Sequence, residues 1–464
     1  MESNKIAKKS VLYFIGNFSS KILASLLVPL YAFYISKEIL GIYDYSQTIM
    51  NILIPVAFIS IWEAIIRFIL GEQKEETKIK AYATSAVFTF AICLLICLGT
   101  IIVSSFIQIQ YKEYFILMVC SSALAQIWQY FSRAKEDNKL FVKTGVISTL
   151  INVILNVVFI VIFKWQADAL YVSFIISQIV IFILIEKKIK IIETIKRENL
   201  DFKLLKLMLL YSAPLVVNSI ASWILNGFGR VIIFDSLGAE ENGLYSFANK
   251  FTNIFLTIGN VITMALLEEA MIALRDKELM TKFTNIIQKI FEIFLVLLLL
   301  IMPAISIFYV FIKNTEYSTS IYLLPILLLY SVFLIMSTNL GIIFKVVNKN
   351  KHQVTTTVLS SIVMIIFSYI FLNSLGIYSV IIGQLLSSVV MLMSRYYISK
   401  KFVNYKINWK PIIALIILYS VISLISLYAN LIVVIFTLII IFIIVIIKNK
   451  ELIRTKLKKG KNMI

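Results

Sequence analysis

The sequence predicts an all-α polytopic membrane protein of fourteen transmembrane helices. They are arranged as two six-helix bundles related by a pseudo-two-fold axis, with two further helices at the C-terminus. Three observations predict this: long apolar stretches, basic clusters that punctuate them at regular intervals, and a segment that recurs about 200 residues later. Hydrophobic residues make up 60% of the chain, charged residues only 15%, and the formal net charge is +19. Eight clusters, at Lys5–Lys9, Arg67–Lys80, Arg133–Lys143, Lys187–Lys206, Arg275–Lys289, Lys345–Lys351, Arg395–Lys410 and Lys448–Lys461, hold 37 of the 44 Lys and Arg. Under the positive-inside rule these clusters are cytoplasmic, so each interval holds two spans and both termini lie inside.

A span needs about 20 apolar residues, and each interval accommodates two. Span 1 (11–35) is longer than a signal-peptide core and no small-residue cleavage site follows it, so it reads as a retained helix. It carries Asn17 and Lys21. Span 2 (43–66) carries Asp44, Gln47 and Asn51, with Glu63 and Arg67 at i,i+4 near its cytoplasmic end. Spans 3 (82–107) and 4 (114–132) contain the three cysteines; Cys93 and Cys97 share a helix face, as a reactive pair or as small apolar filler. Span 5 (140–163) has a stripe of Ser148, Asn152 and Asn156, and span 6 (168–186) returns the chain to the cytoplasm.

Span 7 (207–234) places Ser219, Ser222, Asn226 and Arg230 in helical rhythm. Span 8 (243–267) does the same with Ser246, Asn249, Lys250, Asn253, Thr257 and Asn260, and ends at Glu268 and Glu269. Spans 9 (286–312), 10 (318–344), 11 (354–373) and 12 (376–398) complete the second bundle. The final interval, 411–447, exceeds one crossing and must fold back near Tyr428-Ala429-Asn430, giving spans 13 (411–428) and 14 (431–447). Pro29, Pro55, Pro214, Pro303 and Pro325 fall within spans and are expected to bend them.

The recurrence is local and specific. Residues 41–52, from Gly41-Ile42-Tyr43 to Asn51-Ile52, align without gaps on 243–254, from Gly243-Leu244-Tyr245 to Asn253-Ile254. A weaker echo links Asn138-Lys139 and Ile147-Ser148-Thr149 to Asn350-Lys351 and Leu359-Ser360-Ser361. Six spans return the chain to its starting side, so the copies share one orientation. The expected organisation is an N-terminal bundle at 1–190, a cytoplasmic linker at 191–206, a C-terminal bundle at 207–400, and a last pair with its basic tail at 401–464.

Several function classes are excluded. The basic charge lies beside apolar spans, where it sets topology and meets anionic lipid heads, so no nucleic-acid partner is expected. The Gly460-Lys461 pair is followed by Asn462 and makes no phosphate-cradling loop, and His352 is the single histidine. Neither an enzyme nor a metal site is expected. No cofactor is expected, with H+ or Na+ as the candidate coupling ion. Lys21 lies too deep to snorkel, so it faces either a polar cavity or a buried ion pair.

The order of motifs resembles the Wzx-type bacterial polysaccharide flippases of the multidrug/oligosaccharidyl-lipid/polysaccharide exporter superfamily. The resemblance runs through Leu205–Leu215, Ser222-Trp223-Ile224, Gly229-Arg230, Leu237-Gly238 and Gly243–Ala248. In the first half it includes Leu40-Gly41-Ile42-Tyr43, Glu63–Phe68 and Phe131-Ser132-Arg133-Ala134. It implies two six-helix lobes, a cationic cavity, and transfer of a polyprenyl-diphosphate-linked oligosaccharide from the inner to the outer leaflet of the bacterial cytoplasmic membrane. Spans 13 and 14 look like the extra pair of the lipid II flippase branch. On this reading Lys21, Arg230 and Lys250 attract the diphosphate, and Asn17, Gln47, Asn51, Asn226, Asn249 and Asn253 bond sugar hydroxyls. Asp44, Glu63, Arg67, Asp235, Glu268 and Glu269 serve gating or ion coupling. The family commonly has an Asp before the Arg of span 7; here Gly229 stands there, with Asp235 a candidate substitute as the partner of Arg230. Partners are the lipid-linked substrate, membrane lipids and other polysaccharide-assembly proteins. The rival readings are an ion-coupled drug or metabolite antiporter of the same superfamily and, from another class, a membrane enzyme of polysaccharide assembly.

Overall fold

The computed structural model describes residues 23, 26–70, 72–106, 110–273, 277–403 and 405–448, and within 264–284 only the backbone. The helices in order are α1 (Leu27–Tyr34), α2 (Lys37–Ala57), α3 (Ile61–Leu70), α4 (Glu75–Ser104), α5 (Lys112–Ala134), α6 (Asn138–Val157), α7 (Ala167–Ile189), α8 (Phe202–Asn226), α9 (Phe228–Leu237), α10 (Ala239–Ala273), α11 (Lys277–Phe311), α12 (Leu324–Val346), α13 (Asn350–Leu375), α14 (Ile377–Ser399), α15 (Trp409–Tyr428) and α16 (Leu431–Lys448). Among the described residues ten helices are long and apolar enough to cross a membrane, or eleven with α2 and α3 taken as one bent span. Of the fourteen expected spans, most of the first lies outside the described residues, the eighth, on α10, is not among these candidates, and the last, Leu431–Ile447, is a shorter apolar helix.

Two expected spans are broken rather than continuous. The chain bends by 50° between α2 and α3. Pro55 lacks the N–H that would close the ladder behind it, and three residues later Phe58-Ile59-Ser60 leaves the helix with Ile59 and Ser60 at φ 51° and 48°. The second break, between α8 and α9, falls at Gly227, where a Cβ would lie 2.8 Å from the Trp223 indole nitrogen. Pro214 and Pro303 lie inside α8 and α11, whereas Pro325 sits in the first turn of α12, where a missing N–H costs nothing.

The chain divides into two compact units. The first runs to Val261 and includes Thr357–Val380; the second comprises Ile262–Thr356 and the chain from Ile381. In the first unit the core centres on α5 and α7, where Trp128, Phe131 and Tyr171 are fully buried. The Trp128 indole donates to Glu186 at 2.7 Å, and Glu186 also accepts from the backbone of Ile191 and Ile192. This carboxylate fixes the start of the linker, which forms two short 3-10 turns at Ile192–Thr194 and Arg197–Asn199. The cysteines pair across helices rather than along one. Cys97 Sγ lies 3.8 Å from Cys120 Sγ on α5, and Cys120 points toward the carbonyl of Cys93.

In the second unit Arg395, counted in a basic cluster, is only 3% exposed. Its guanidinium donates to the Ser337 carbonyl on α12 at 2.8 Å and to Thr356 Oγ1 on α13 at 3.1 Å. Gly341 makes room for it, because a Cβ there would lie 2.9 Å from Nη1.

Candidate functional site

The first copy of the recurring segment lies on α2 and the second on α10, both in the first unit. Each helix starts decisively. Ser36, extended, caps α2 by accepting from the Ile39 N–H at 3.3 Å; Gly238, at φ +95°, turns the chain from α9 into α10. Glu38 and the pair Glu240 and Glu241 complement the dipoles of these N-termini.

Near these starts the two helices touch backbone to backbone. A Cβ on Gly41 would lie 1.9 Å from the Ala239 carbonyl oxygen, and a Cβ on Gly243 would lie 1.8 Å from the Lys37 carbonyl oxygen. Gly243 aligns with Gly41, and Ala239 then aligns with Lys37, so the contact is reciprocal, as in an isologous interface. Only glycine permits this approach. Asn242, fully buried, donates to the Gly41 carbonyl at 2.8 Å, and Lys37 pairs with Glu240 at 2.7 Å on the rim.

One helical turn deeper stands a charged cluster. Arg230 Nε on α9 lies 2.6 Å from Asp44 Oδ2 on α2, a charge contact without an N–H aligned on the oxygen. Arg230 Nη1 donates to the Asn226 carbonyl at 2.7 Å, and the guanidinium lies over the Tyr245 ring, 5.5 Å from its centre. Ser246 donates to the same Asp44 oxygen at 2.6 Å. The side chains of Arg230 and Asp44 are 14% and 20% exposed, so the pair is sheltered but reachable. Lys250, one turn along α10 from Ser246, stacks on Tyr31 with its ammonium 4.7 Å from the ring centre. Tyr31 in turn donates to Asn156 at 3.3 Å, which turns the stripe of α6 into support for the site. One carboxylate and two cations leave the cluster with a net positive charge.

One expectation is corrected here. The acidic partner of Arg230 is Asp44 from another helix, not the candidate Asp235. Five residues along α9, Asp235 is rotated about 140° from Arg230, and it stands beside Tyr45. Of the residues assigned to gating, Glu63 accepts from the Tyr130 hydroxyl at 3.5 Å, and Arg67 is exposed.

The remaining predicted residues scatter. Asn249 is buried, and Gln47 donates to the Tyr43 hydroxyl at 2.9 Å. Asn51, Asn226 and Asn253 are exposed, and the Asn226 amide is spent on the Ser222 carbonyl. Asn17 and Lys21 lie outside the described residues, as do the side chains of Glu268 and Glu269. Sequence reasoning did not assign Tyr31, Tyr245, Asn242 or Ser246 to the site. Ser246 had a signal, since it aligns with Asp44 in the recurring segment.

Comparison with known proteins follows the same lines. The model of the polysaccharide biosynthesis protein family matches residues 6–267. No curated protein matches the chain. Among solved structures, the lipid II flippase MurJ in an inward closed conformation superposes with a TM-score of 0.70 at 14% identity, covering 96% of this chain and 100% of that one. An inward-facing multidrug resistance MATE family transporter of the MOP superfamily gives 0.62 at 16% identity, over 83% of this chain and 94% of that one. A MOP superfamily transporter from Pyrococcus furiosus, described as having a binding pocket of reverse polarity, gives 0.59 at 16% identity, over 85% and 96%. At these identities the likeness speaks for the fold.

Proposed function

Since the chain belongs to the polysaccharide biosynthesis protein family, a family of membrane flippases, we propose that it moves a polyprenyl-diphosphate-linked oligosaccharide from the inner to the outer leaflet of the bacterial cytoplasmic membrane, by alternating access, for surface polysaccharide synthesis. The topology that goes with this reading is fourteen spans with both termini cytoplasmic. It puts the glycine seam of α2 and α10 at the outer end and the Asp44–Arg230–Lys250 cluster just beneath it. Spans 1–6 and 7–12 are then copies related by an axis along the membrane normal.

The observation that carries the proposal is the sheltered cluster of Asp44, Arg230 and Lys250, two basic side chains to one carboxylate. A Lys or Arg at the bilayer centre costs about 2.5–3.5 kcal/mol on insertion scales and less toward either end, and a sheltered cation at any depth calls for an anionic or polar partner. A diphosphate supplies the complementary charge, and each charge-assisted bond to it contributes about 1.5–3 kcal/mol. Sugars cannot cross hydrocarbon with their hydroxyls unpaired. Asn and Gln side chains give them partners, while the polyprenyl tail stays in lipid. A cavity selecting organic cations would instead place carboxylates in excess, which weighs against the antiporter reading. H+ or Na+ is the coupling ion this reading favours.

The test is deletion of the gene and complementation with the wild type, scoring surface polysaccharide and lipid-linked precursor together. Loss of surface polymer with precursor accumulating on the inner leaflet is expected. Unchanged export after deletion overturns the proposal.

A further inference from the structure

We propose that Asp44 is a built-in substitute for the anionic group of the substrate: a diphosphate entering the cluster competes with it for Arg230, and winning that competition loosens the seam above. The inference rests on the flippase reading and says how the same site is regulated.

The geometry is specific. Asp44 Oδ2 accepts from the Ser246 hydroxyl at 2.6 Å and lies in charge contact with Arg230 Nε at 2.6 Å, so a single atom joins α2, α9 and α10. Three residues earlier on α2 is Gly41, and three residues before Ser246 on α10 is Gly243, the two glycines whose backbones lock against Ala239 and Lys37. The Asp44–Ser246 contact and the seam are therefore consecutive turns of the α2–α10 crossing, and the Asp44–Arg230 pair ties α9 to the same carboxylate. With a guanidinium in a sheltered site an anion must be present, and Asp44 provides one when no substrate does. Lys250 lies nearby, held on Tyr31, and is the second basic side chain of the cluster.

A diphosphate carries more charge than one carboxylate and can engage Arg230 and Lys250 together. When it does, Asp44 loses its cation and keeps only the Ser246 hydroxyl. The ion pair between α9 and α2 is then broken at the level just below the glycines, while the Tyr45–Phe234 stack remains. The device favours opening only with cargo present, because without an anion the Asp44–Arg230 pair re-forms.

The experiment uses the full chain in nanodiscs with polyprenyl diphosphate as the probe and uncharged polyprenol as control. Asp44→Asn removes the internal competitor and is expected to bind polyprenyl diphosphate about tenfold more tightly than wild type, with polyprenol binding unchanged. In the wild type, polyprenyl diphosphate is expected to speed amide exchange across 37–45 and 239–247. If Asp44→Asn does not fold, this second measurement decides. Equal or weaker diphosphate binding by a folded Asp44→Asn, or unchanged or slower exchange in the wild type at saturating probe, overturns the inference while leaving the flippase reading in place. Failure of the wild type to bind polyprenyl diphosphate at all removes that reading, and the inference with it.

Discussion

Ser246 donates its hydroxyl to Asp44 across 2.6 Å, and the two stand 202 positions apart, the offset that also relates Gly243 to Gly41. Matched positions of the recurring segment thus meet face to face at two successive levels, a glycine level and a carboxylate level. The repeat in the sequence is a contact in the fold.

The glycine level is the least tolerant place in the first unit. A methyl group at Gly41 or Gly243 would overlap a backbone carbonyl that no rotamer change can move, so α2 and α10 would have to part. A Cβ on Gly99 of α4 would meet nothing within 4 Å, so that position serves as the control. Gly41→Val and Gly243→Val are expected to cost about 1–3 kcal/mol or more through overpacking, while Gly99→Ala leaves the melting midpoint near wild type. Thermal unfolding in one detergent measures all three, and a Gly41→Val melting curve that overlays the wild type would refute the seam.

In the second unit Arg395 and Gly341 form one lock, since the guanidinium reaches the Ser337 carbonyl through the space where a side chain at 341 would be. Gly341→Val and Arg395→Met should each destabilise. The double variant should cost much less than the sum, because either change alone removes the same contact. Additive losses in the double variant would show that the two residues act separately.

The cysteine geometry predicts a specific cross-link. Cys97 and Cys120 Sγ atoms, 3.8 Å apart, need only a small approach to reach disulfide length, whereas Cys93 offers its carbonyl to Cys120. Treatment with an added oxidant such as copper phenanthroline should give a Cys97–Cys120 disulfide between α4 and α5, with Cys93 remaining open to alkylation. Peptide mapping that finds Cys93 joined to Cys97 would contradict the packing of these helices.

At the end of α5, outside the spans, Asp137 caps α6 by accepting from the Leu140 N–H and pairs with Lys188. The Lys188 ammonium, then the Leu140 N–H, hold its carboxyl below the usual range. A depressed folded value means the contribution is present above the ordinary carboxylate pKa and is lost as pH falls through the folded one. Asp137→Asn keeps a capping oxygen and removes the charge. Its melting deficit should be present at neutral pH and shrink as pH falls below the ordinary carboxylate range. A deficit constant with pH would assign the effect to capping alone.

What could be read in the sequence followed from physics that acts locally. Apolar length, the basic clusters and the periodicity of Asn249, Lys250 and Asn253 place helices and faces without any knowledge of neighbours. The breaks at Ile59 and Gly227 were not legible. Pro55 announces a disturbance but not that two residues will adopt positive φ, and Gly227 yields to the Trp223 side chain, itself held by the Thr48 carbonyl of another helix at 2.8 Å. The partner of Arg230 was not legible for the same reason. Asp235 is near in the chain and Asp44 is near in space, and only the crossing of α2 with α9 decides between them. The alignment of Gly41 with Gly243 and Asp44 with Ser246 was visible as spacing; that the copies touch was not.

The most direct test of the account is transfer of a polyprenyl-diphosphate-linked oligosaccharide between leaflets of proteoliposomes, read with a membrane-impermeant reagent that labels only outward glycans. Wild-type protein is predicted to expose the inward pool well above the rate of protein-free liposomes. Arg230→Ala, reconstituted at equal density, is predicted to slow this at least about tenfold, the loss of one charge-assisted contact worth about 1.4 kcal/mol. A wild-type rate no faster than protein-free liposomes, under any imposed H+ or Na+ gradient, would contradict the flippase assignment.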